Sequence, residues 1–202
     1  MKKFIFVFKF ILILILLKSC YARPKYRLVS SYTDSFFLDK SKKYLFIKNN
    51  LHTNNINFIK KIDNDFREMI GENLHYEYSP LEFDINQPVR VTNYFVNLLK
   101  EAYSNDYDYV ILLRFIRKPT NTNDIDQKAI TITEKNIVTT REYHAIIQVI
   151  DLKEEKIIYS KEAISNYKKA FSTGVTTSQM KQLEDTYLKV FNDFSKKDNS
   201  IY

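Results

Sequence analysis

The stretch Tyr107-Asp108-Tyr109-Val110-Ile111-Leu112-Leu113-Arg114-Phe115-Ile116 decides the fold, because it is the longest apolar run that follows the N-terminal leader. Successive side chains of a strand point to opposite faces of its sheet. Here apolar side chains fall on both faces: Tyr109, Ile111, Leu113 and Phe115 on one, and Val110, Leu112 and Ile116 on the other. This pattern predicts a central strand in a sheet that is covered on both sides.

Other apolar runs supply the neighbours of this strand. Residues Tyr143 to Leu152 and Lys156 to Ala163 flank a polar turn, which predicts an antiparallel pair beside the central strand. Lys43 to Lys48 predicts a first strand, and Asn73 to Tyr78 predicts a short second one. The sheet should therefore contain four to five strands.

Three segments show the spacing of amphipathic helices. Apolar residues recur every three or four positions from Thr53 to Ile70 and from Thr92 to Tyr103. Thr53 or Asn54 is expected to cap the first helix, and Gly71 supplies a left-handed stop. Thr176-Thr177-Ser178-Gln179 matches a capping box, with Thr176 as the cap of a third helix.

This order of elements predicts an α+β fold, a two-layer sandwich with a mostly antiparallel sheet packed by three helices. Residues 43–196 form one domain, because no internal repeat or second core pattern is present. Residues 20–42 are polar and irregular, which indicates a tether with a short apolar docking segment at Phe36-Phe37-Leu38. Residues 197–202 are predicted to be a polar tail.

The charge distribution argues against nucleic acid as a partner. The chain of 202 residues has a formal charge of +7, but four lysines precede Cys20 and no Asp or Glu does, so removing these four leaves +3. The remaining charges lie in runs of mixed sign such as Lys153-Glu154-Glu155-Lys156, which is typical of a solvated surface.

Residues 1–19 have the organisation of a secretory signal peptide. Lys2 and Lys3 form a basic start, an apolar run extends from Phe10 to Leu17, and the small residue Ser19 precedes Cys20. A membrane-spanning helix needs about 20 apolar residues, and this leader is too short and contains Lys9. We therefore expect export of the chain.

Leu17-Lys18-Ser19-Cys20 resembles the lipobox of bacterial lipoproteins, which are cut before a Cys that is then acylated. Lys18 stands where that pattern has a small or apolar residue. Cleavage after Ala22 is the alternative, because Cys20-Tyr21-Ala22 is a small-x-small site. Cys20 is the only cysteine, and acylation accounts for a lone thiol in an exported chain. Acyl chains would hold the protein on a membrane.

The element order also resembles the periplasmic α/β domains of bacterial envelope lipoproteins, such as the penicillin-binding-protein activator LpoB and the curli secretion lipoprotein CsgG. The resemblance covers roughly residues 43–195. It rests on residues 108–112, 147–152 and 157–160 of the strand pattern. It implies a cell-envelope location, at the outer membrane facing the periplasm or the surface, and it transfers no functional residue.

The chain lacks recognisable catalytic motifs. His52, His75 and His144 have no second ligand at metal spacing, so we expect no metal site. Gly71 and Gly174 are the only glycines, which leaves no phosphate-cradling loop and no expected cofactor. His144 is expected on the partly wet face of its strand, in a structural role.

The sequence is unusually rich in tyrosine, with fifteen residues. Most should fill the core, but Tyr is also enriched where proteins bind proteins. Tyr76 and Tyr78 on the short strand, with His144 and Gln148 on the wetter sheet face, make up the candidate binding surface.

We expect a membrane-anchored, non-enzymatic module that binds an envelope protein or assembles with copies of itself. The alternative is a secreted hydrolase with a scattered active site, released after Ala22. A pocket holding His144 beside a carboxylate would favour the hydrolase. A pore-forming role would need membrane hairpins between Asp124 and Arg141, where the alternation is broken by charged residues.

Overall fold

The computed structural model describes residues 24–33, 36–48, 55–76, 93–118, 139–169 and 178–198. In chain order the elements are β1 (Lys25–Thr33), β2 (Tyr44–Lys48), α1 (Ile56–Ile70), β3 (Leu74–Tyr76), α2 (Asn93–Tyr103), β4 (Tyr109–Lys118), β5 (Thr139–Asp151), β6 (Lys156–Lys169) and α3 (Gln179–Phe194). Short 3-10 turns follow α1 at Gly71–Asn73 and α3 at Ser195–Lys197. The α+β sandwich and the three predicted helices are confirmed among these residues.

The strands form one open mixed sheet in the order β1-β6-β5-β4-β2-β3. The pairs β1–β6, β6–β5 and β5–β4 are antiparallel, whereas β4–β2 and β2–β3 are parallel. The sheet therefore has six strands rather than the expected four to five. The additional strand is β1.

The sequence pattern places residues 25–33 in an irregular tether, and the structure corrects this prediction. β1 runs antiparallel to β6, from Lys25 opposite Asn166 to Thr33 opposite Tyr159. The pattern is misleading because β1 is an edge strand whose described side chains are half-buried or exposed, so it lacks an apolar stripe. The hydroxyl of Tyr26 donates to Asp185 of α3 at 3.2 Å and ties this edge to the helix layer.

The main core lies between the sheet and the two helices α1 and α3. Aromatic side chains from both layers interlock there, with Phe46 against Phe66 at 4.3 Å between ring centroids and Phe115 against Phe58 at 5.9 Å. Such pairs contribute about 0.5–1.5 kcal/mol each beyond the burial of their area. The Tyr and Phe residues thus perform the core role that composition suggested for most of them.

The opposite face carries a second, smaller core under α2. Val96 and Leu99 of this helix are buried against the strand residues Leu45, Ile47, Val110, Leu112 and Ile150. The sandwich therefore has a partial third layer where two layers were expected. The right-handed sense of strand-helix-strand crossovers explains this third layer. Along the sheet, the chain moves in one direction from β2 to β3 and in the other from β3 back to β4. The connecting helices α1 and α2 must therefore lie on opposite faces.

The helix ends follow capping chemistry, with small shifts from the predicted positions. Asn55 accepts a hydrogen bond from the Phe58 N–H at 3.1 Å and caps α1, while the expected caps Thr53 and Asn54 lie outside the described residues. Gly71 ends α1 at φ 84°, as predicted. Ser178 caps α3 by accepting from the Lys181 N–H, and Thr176 lies outside the described residues.

The two ends of the domain meet at the docking segment predicted around Phe36. Phe36 and Leu38 are buried, and the Phe36 ring stacks on Phe194 at 6.3 Å. The Leu38 N–H donates to the carbonyl of Lys197 at 2.8 Å, so the predicted tail begins inside the fold. Among the described helices, none has the length and apolarity required to cross a membrane.

Candidate functional site

A row of polar side chains crosses β4, β5 and β6 on the sheet face that carries α2. The antiparallel register brings them together: Arg114 lies opposite Ile146, which in turn lies opposite Glu162, and the neighbouring rows add the rest. Alternation of side chains then places all of them on the same face. We name this group the sheet-face cluster, and its members are Arg114, Lys118, Glu142, His144, Gln148, Ser160 and Glu162.

His144 is the centre of the sheet-face cluster and is only 5% exposed. Its Nε2 lies 2.7 Å from Oε1 of Glu142, and its Nδ1 contacts Oε1 of Glu162. Ionised carboxylates only accept hydrogen bonds, so both ring nitrogens must carry a proton to donate to them. The geometry therefore describes an imidazolium held between two carboxylates.

Opposing effects set the pKa values in this group. Burial lowers the pKa of His144, but the hydrogen bonds to Glu162 and Glu142 outweigh it, and the net shift is upward from 6.5. The pKa of Glu162 is lowered, chiefly by its bond to His144. Burial raises the pKa of Glu142, yet the bonds from Lys118 and His144 lower it overall. Each group thus favours the charged form of its neighbour.

A second arm of the sheet-face cluster runs through Arg114. Its Nη2 donates to Oε1 of Gln148 at 2.6 Å, and Nε2 of Gln148 donates to Oγ of Ser160 at 3.2 Å. Burial lowers the pKa of Arg114, and the nearby charge of Glu162 opposes this effect. Three strands are therefore joined by polar side chains as well as by backbone hydrogen bonds.

This arrangement is suited to holding strands together rather than to catalysis. One condition for the hydrolase alternative is met, because carboxylates lie within hydrogen-bond reach of His144. A general base needs a free nitrogen that reaches the proton it removes. Here both nitrogens of His144 are occupied by carboxylates, so the ring has no nitrogen left to activate a nucleophile.

The structure separates the residues of the candidate binding surface. Tyr76 lies on the edge strand β3 and packs against the main core, where its hydroxyl donates to the carbonyl of Asp63 at 2.8 Å. His144 and Gln148 lie on β5, three strands away in the sheet and on the other face. Both are 5% exposed, which corrects the expectation of a wet face. Tyr78 lies outside the described residues.

Sequence patterns alone miss the partners of His144. Arg114 interrupts an apolar run, and Glu162 sits within a predicted strand, so each is a detectable signal of a buried polar contact. Their meeting depends on the pairing register of β4, β5 and β6, which a single sequence does not determine. Glu142 and Lys118 are missed for the same reason.

The described part of the chain contains no group of three or more His, Cys, Asp or Glu side chains placed to hold a metal ion. Cys20, the predicted lipidation site, lies outside the described residues, five positions before the start of β1. The described part of the fold therefore starts close in sequence to the predicted lipidation site.

No protein-family model and no curated protein matches the chain. Among solved structures, the fold is similar to the PelC dodecamer from Paraburkholderia phytofirmans, with a TM-score of 0.39 and 12% identity over 83% of this chain and 95% of that one. A single-substitution variant of the same dodecamer gives a TM-score of 0.37 and 9% identity, covering 86% and 98% of the two chains.

A neuraminyllactose-binding hemagglutinin homologue from Helicobacter pylori is also similar, with a TM-score of 0.38 and 12% identity over 79% of this chain and 87% of that one. We transfer no function from structures this distant. The resemblance to LpoB and CsgG stays a prediction.

The charged pair at the centre of the cluster predicts a pH-dependent contribution to stability. A raised His144 pKa stabilises the fold fully below pH 6.5 and less as pH rises through the folded value. A lowered Glu162 pKa stabilises it above 4.5 and less as pH falls. Glu162→Gln should therefore cost about 1–2 kcal/mol of unfolding free energy between these two values, and less at alkaline pH.

Urea unfolding of the wild type and the variant at several pH values measures this difference. Glu154→Gln is the matched control, because it removes the same charge from the exposed turn between β5 and β6 and should change stability by less than about 0.5 kcal/mol. A deficit of the Glu162 variant that grows as pH rises above 6.5 would contradict the paired imidazolium.

Proposed function

We propose that the protein is a lipid-anchored envelope lipoprotein that acts as a non-enzymatic binding or assembly module. The observation that carries this proposal is the position of Cys20, which ends a leader of signal-peptide organisation five residues before β1. Acylation at this position would leave almost no spacer between lipid and fold. The role is that of a domain presented at a membrane surface.

The outer edge of β1 supports the binding part of this proposal. β1 ends the sheet, and no described strand pairs with its outer edge. Backbone N–H and C=O groups on such an edge can accept a strand from another protein or from a second copy of the chain. A register shift between Ser30 and Tyr32 limits regular pairing to the first part of β1, from Lys25 to about Val29.

The anchor is tested by the mass of the mature protein made in a bacterial host. We expect a chain that begins at Cys20 and carries acyl groups, recovered with the membranes. Cys20→Ala should abolish the acyl mass and leave the precursor uncut at this site or divert cleavage to Ala22. The folded domain should be unaffected by this substitution, because Cys20 precedes β1.

Ala22→Leu is the matched control for the anchor experiment. It blocks the small-x-small site that the alternative requires, and it leaves Leu17, Ser19 and Cys20 intact. Wild-type maturation of this variant supports the lipoprotein. An unmodified, soluble mature protein that begins at Arg23, and that is lost in the Ala22 variant, would refute the anchor.

The binding edge is tested by a photo-crosslinking residue in place of Leu28, a residue of β1 that is 37% exposed. We expect a specific adduct in cells, whose mass shows whether the partner is a second copy or another envelope protein. The same residue at Lys153, in the exposed turn after β5, should give no such adduct. The absence of any protein adduct at Leu28, or equal adducts at both positions, would contradict binding through β1.

A further inference from the structure

One end of the sheet collects exposed basic side chains. The register places Lys25 of β1, Asn166 of β6, Glu142 of β5 and Lys118 of β4 in one row across four strands. We name the basic residues of this region the basic end, and they are Lys25, Arg27, Arg117 and Lys118.

The carboxylates beside the basic end, Glu142, Glu162 and Asp185, already have cationic partners. Glu142 pairs with Lys118 at 2.7 Å and with His144, so its charge is already shared. Among the described residues, Lys25, Arg27 and Arg117 take part in no ion pair. The N-terminus of α3 lies at the same end of the sheet, since the Tyr143 hydroxyl donates to Oε1 of Gln179 at 3.4 Å. This helix start adds a positive partial charge to the basic end.

The opposite end of the sheet has a different character. The turn from Asp151 to Lys156 carries Glu154 and Glu155 beside Lys153, and Asp108 lies next to it through its carbonyl bond to the Leu152 N–H. We name this region the far end. The far end begins at Asp151, nine positions after Glu142 along β5, which is a distance of about 30 Å at 3.4 Å per residue.

The basic end is also the end nearest to the proposed anchor. Lys25 is the first residue of β1, and five residues of fully extended chain from Cys20 span at most about 18 Å. The row from Lys25 to Lys118 is only about 15 Å wide, since neighbouring strands lie about 4.8 Å apart. Anchoring at Cys20 would therefore hold Lys25 within about 18 Å of the lipid surface, which allows the basic end to reach the headgroups.

We propose that the basic end docks against the anionic headgroups of the membrane that holds the N-terminus, so that the far end points away from the bilayer. This inference rests on the proposed anchor. Basic residues near an anionic surface are attracted within about one Debye length, roughly 8 Å at physiological salt. The short link to Cys20 holds the basic end at a high local concentration next to the headgroups, so a few charges suffice to orient the domain.

Lysine labelling of the full chain tests the docking. The chain is synthesised in the presence of phosphatidylcholine vesicles, with or without phosphatidylglycerol, and its own apolar leader retains it there without acylation. The vesicle-bound fraction is treated with an amine-reactive reagent and examined by peptide mass spectrometry. Failure of acylation in cells would refute the proposed function without affecting this measurement.

We expect phosphatidylglycerol to reduce labelling of Lys25 and Lys118 by about fivefold, the factor that corresponds to one basic residue near an anionic surface. Labelling of Lys153 and Lys156 at the far end should not change. The protection should disappear at high salt. The proposal would be overturned if labelling of Lys25 and Lys118 were the same in both vesicle types. It would also be overturned if phosphatidylglycerol protected Lys153 and Lys156 as strongly as Lys25 and Lys118.

Two double variants with the same change of net charge provide the control. Arg27→Glu with Arg117→Glu should remove the protection of Lys25 and Lys118, whereas Lys153→Glu with Lys156→Glu should preserve it. All four positions are exposed, and unchanged protease resistance confirms that the variants are folded. Protection by soluble polyphosphate in neutral vesicles, as strong as that by anionic lipid, would show a general anion site and overturn the assignment to lipid.

Discussion

The burial of β4 on both faces is the constraint on which the rest of the fold depends. Four consecutive residues, Val110 to Leu113, are each no more than 1% exposed. Such a strand requires hydrogen-bonded neighbours on both edges and apolar cover on both sides. β2 and β5 supply the edges, α1 and α3 cover one face, and α2 covers part of the other. The layers of the domain are arranged around this one strand.

The features that follow from periodicity are predictable from the sequence. The central strand, the β5–β6 hairpin and the three helices all have strong apolar patterns over many residues. β1 escapes recognition, because an edge strand with mixed polar and apolar residues has the composition of a tether. The caps differ by one or two residues from the predicted ones, since several adjacent Asn, Ser and Thr residues can each serve as a cap.

The sheet-face cluster shows why a site is harder to predict than a fold. His144 is visible as an unusual residue in a strand, but its two carboxylates come from positions 2 and 18 residues away, joined by the strand register. A shift of one residue in pairing would turn Glu162 to the other face. The burial of His144 also shows that a polar residue in an alternating strand need not be wet, because ionic partners can satisfy it.

The assignment of residues 25–33 to β1 changes the functional interpretation. A long tether would let the domain take any orientation, whereas the four residues between Cys20 and β1 would link membrane position to sheet geometry if Cys20 is acylated as proposed. The proposed anchor, the open edge of β1 and the basic end then become parts of one arrangement. A domain held in this way would present the edge of β1 and the far end to other envelope proteins.

The orientation of the domain on the membrane tests this account most directly. Spin labels at Lys118→Cys and Lys153→Cys in the acylated protein, where Cys20 is no longer a free thiol, report the depth of each end relative to the lipid headgroups. The account predicts that the label at 118 lies at headgroup level and that the label at 153 lies about 30 Å farther into the solvent. Equal depths for the two labels, or a deeper label at 153, would contradict it.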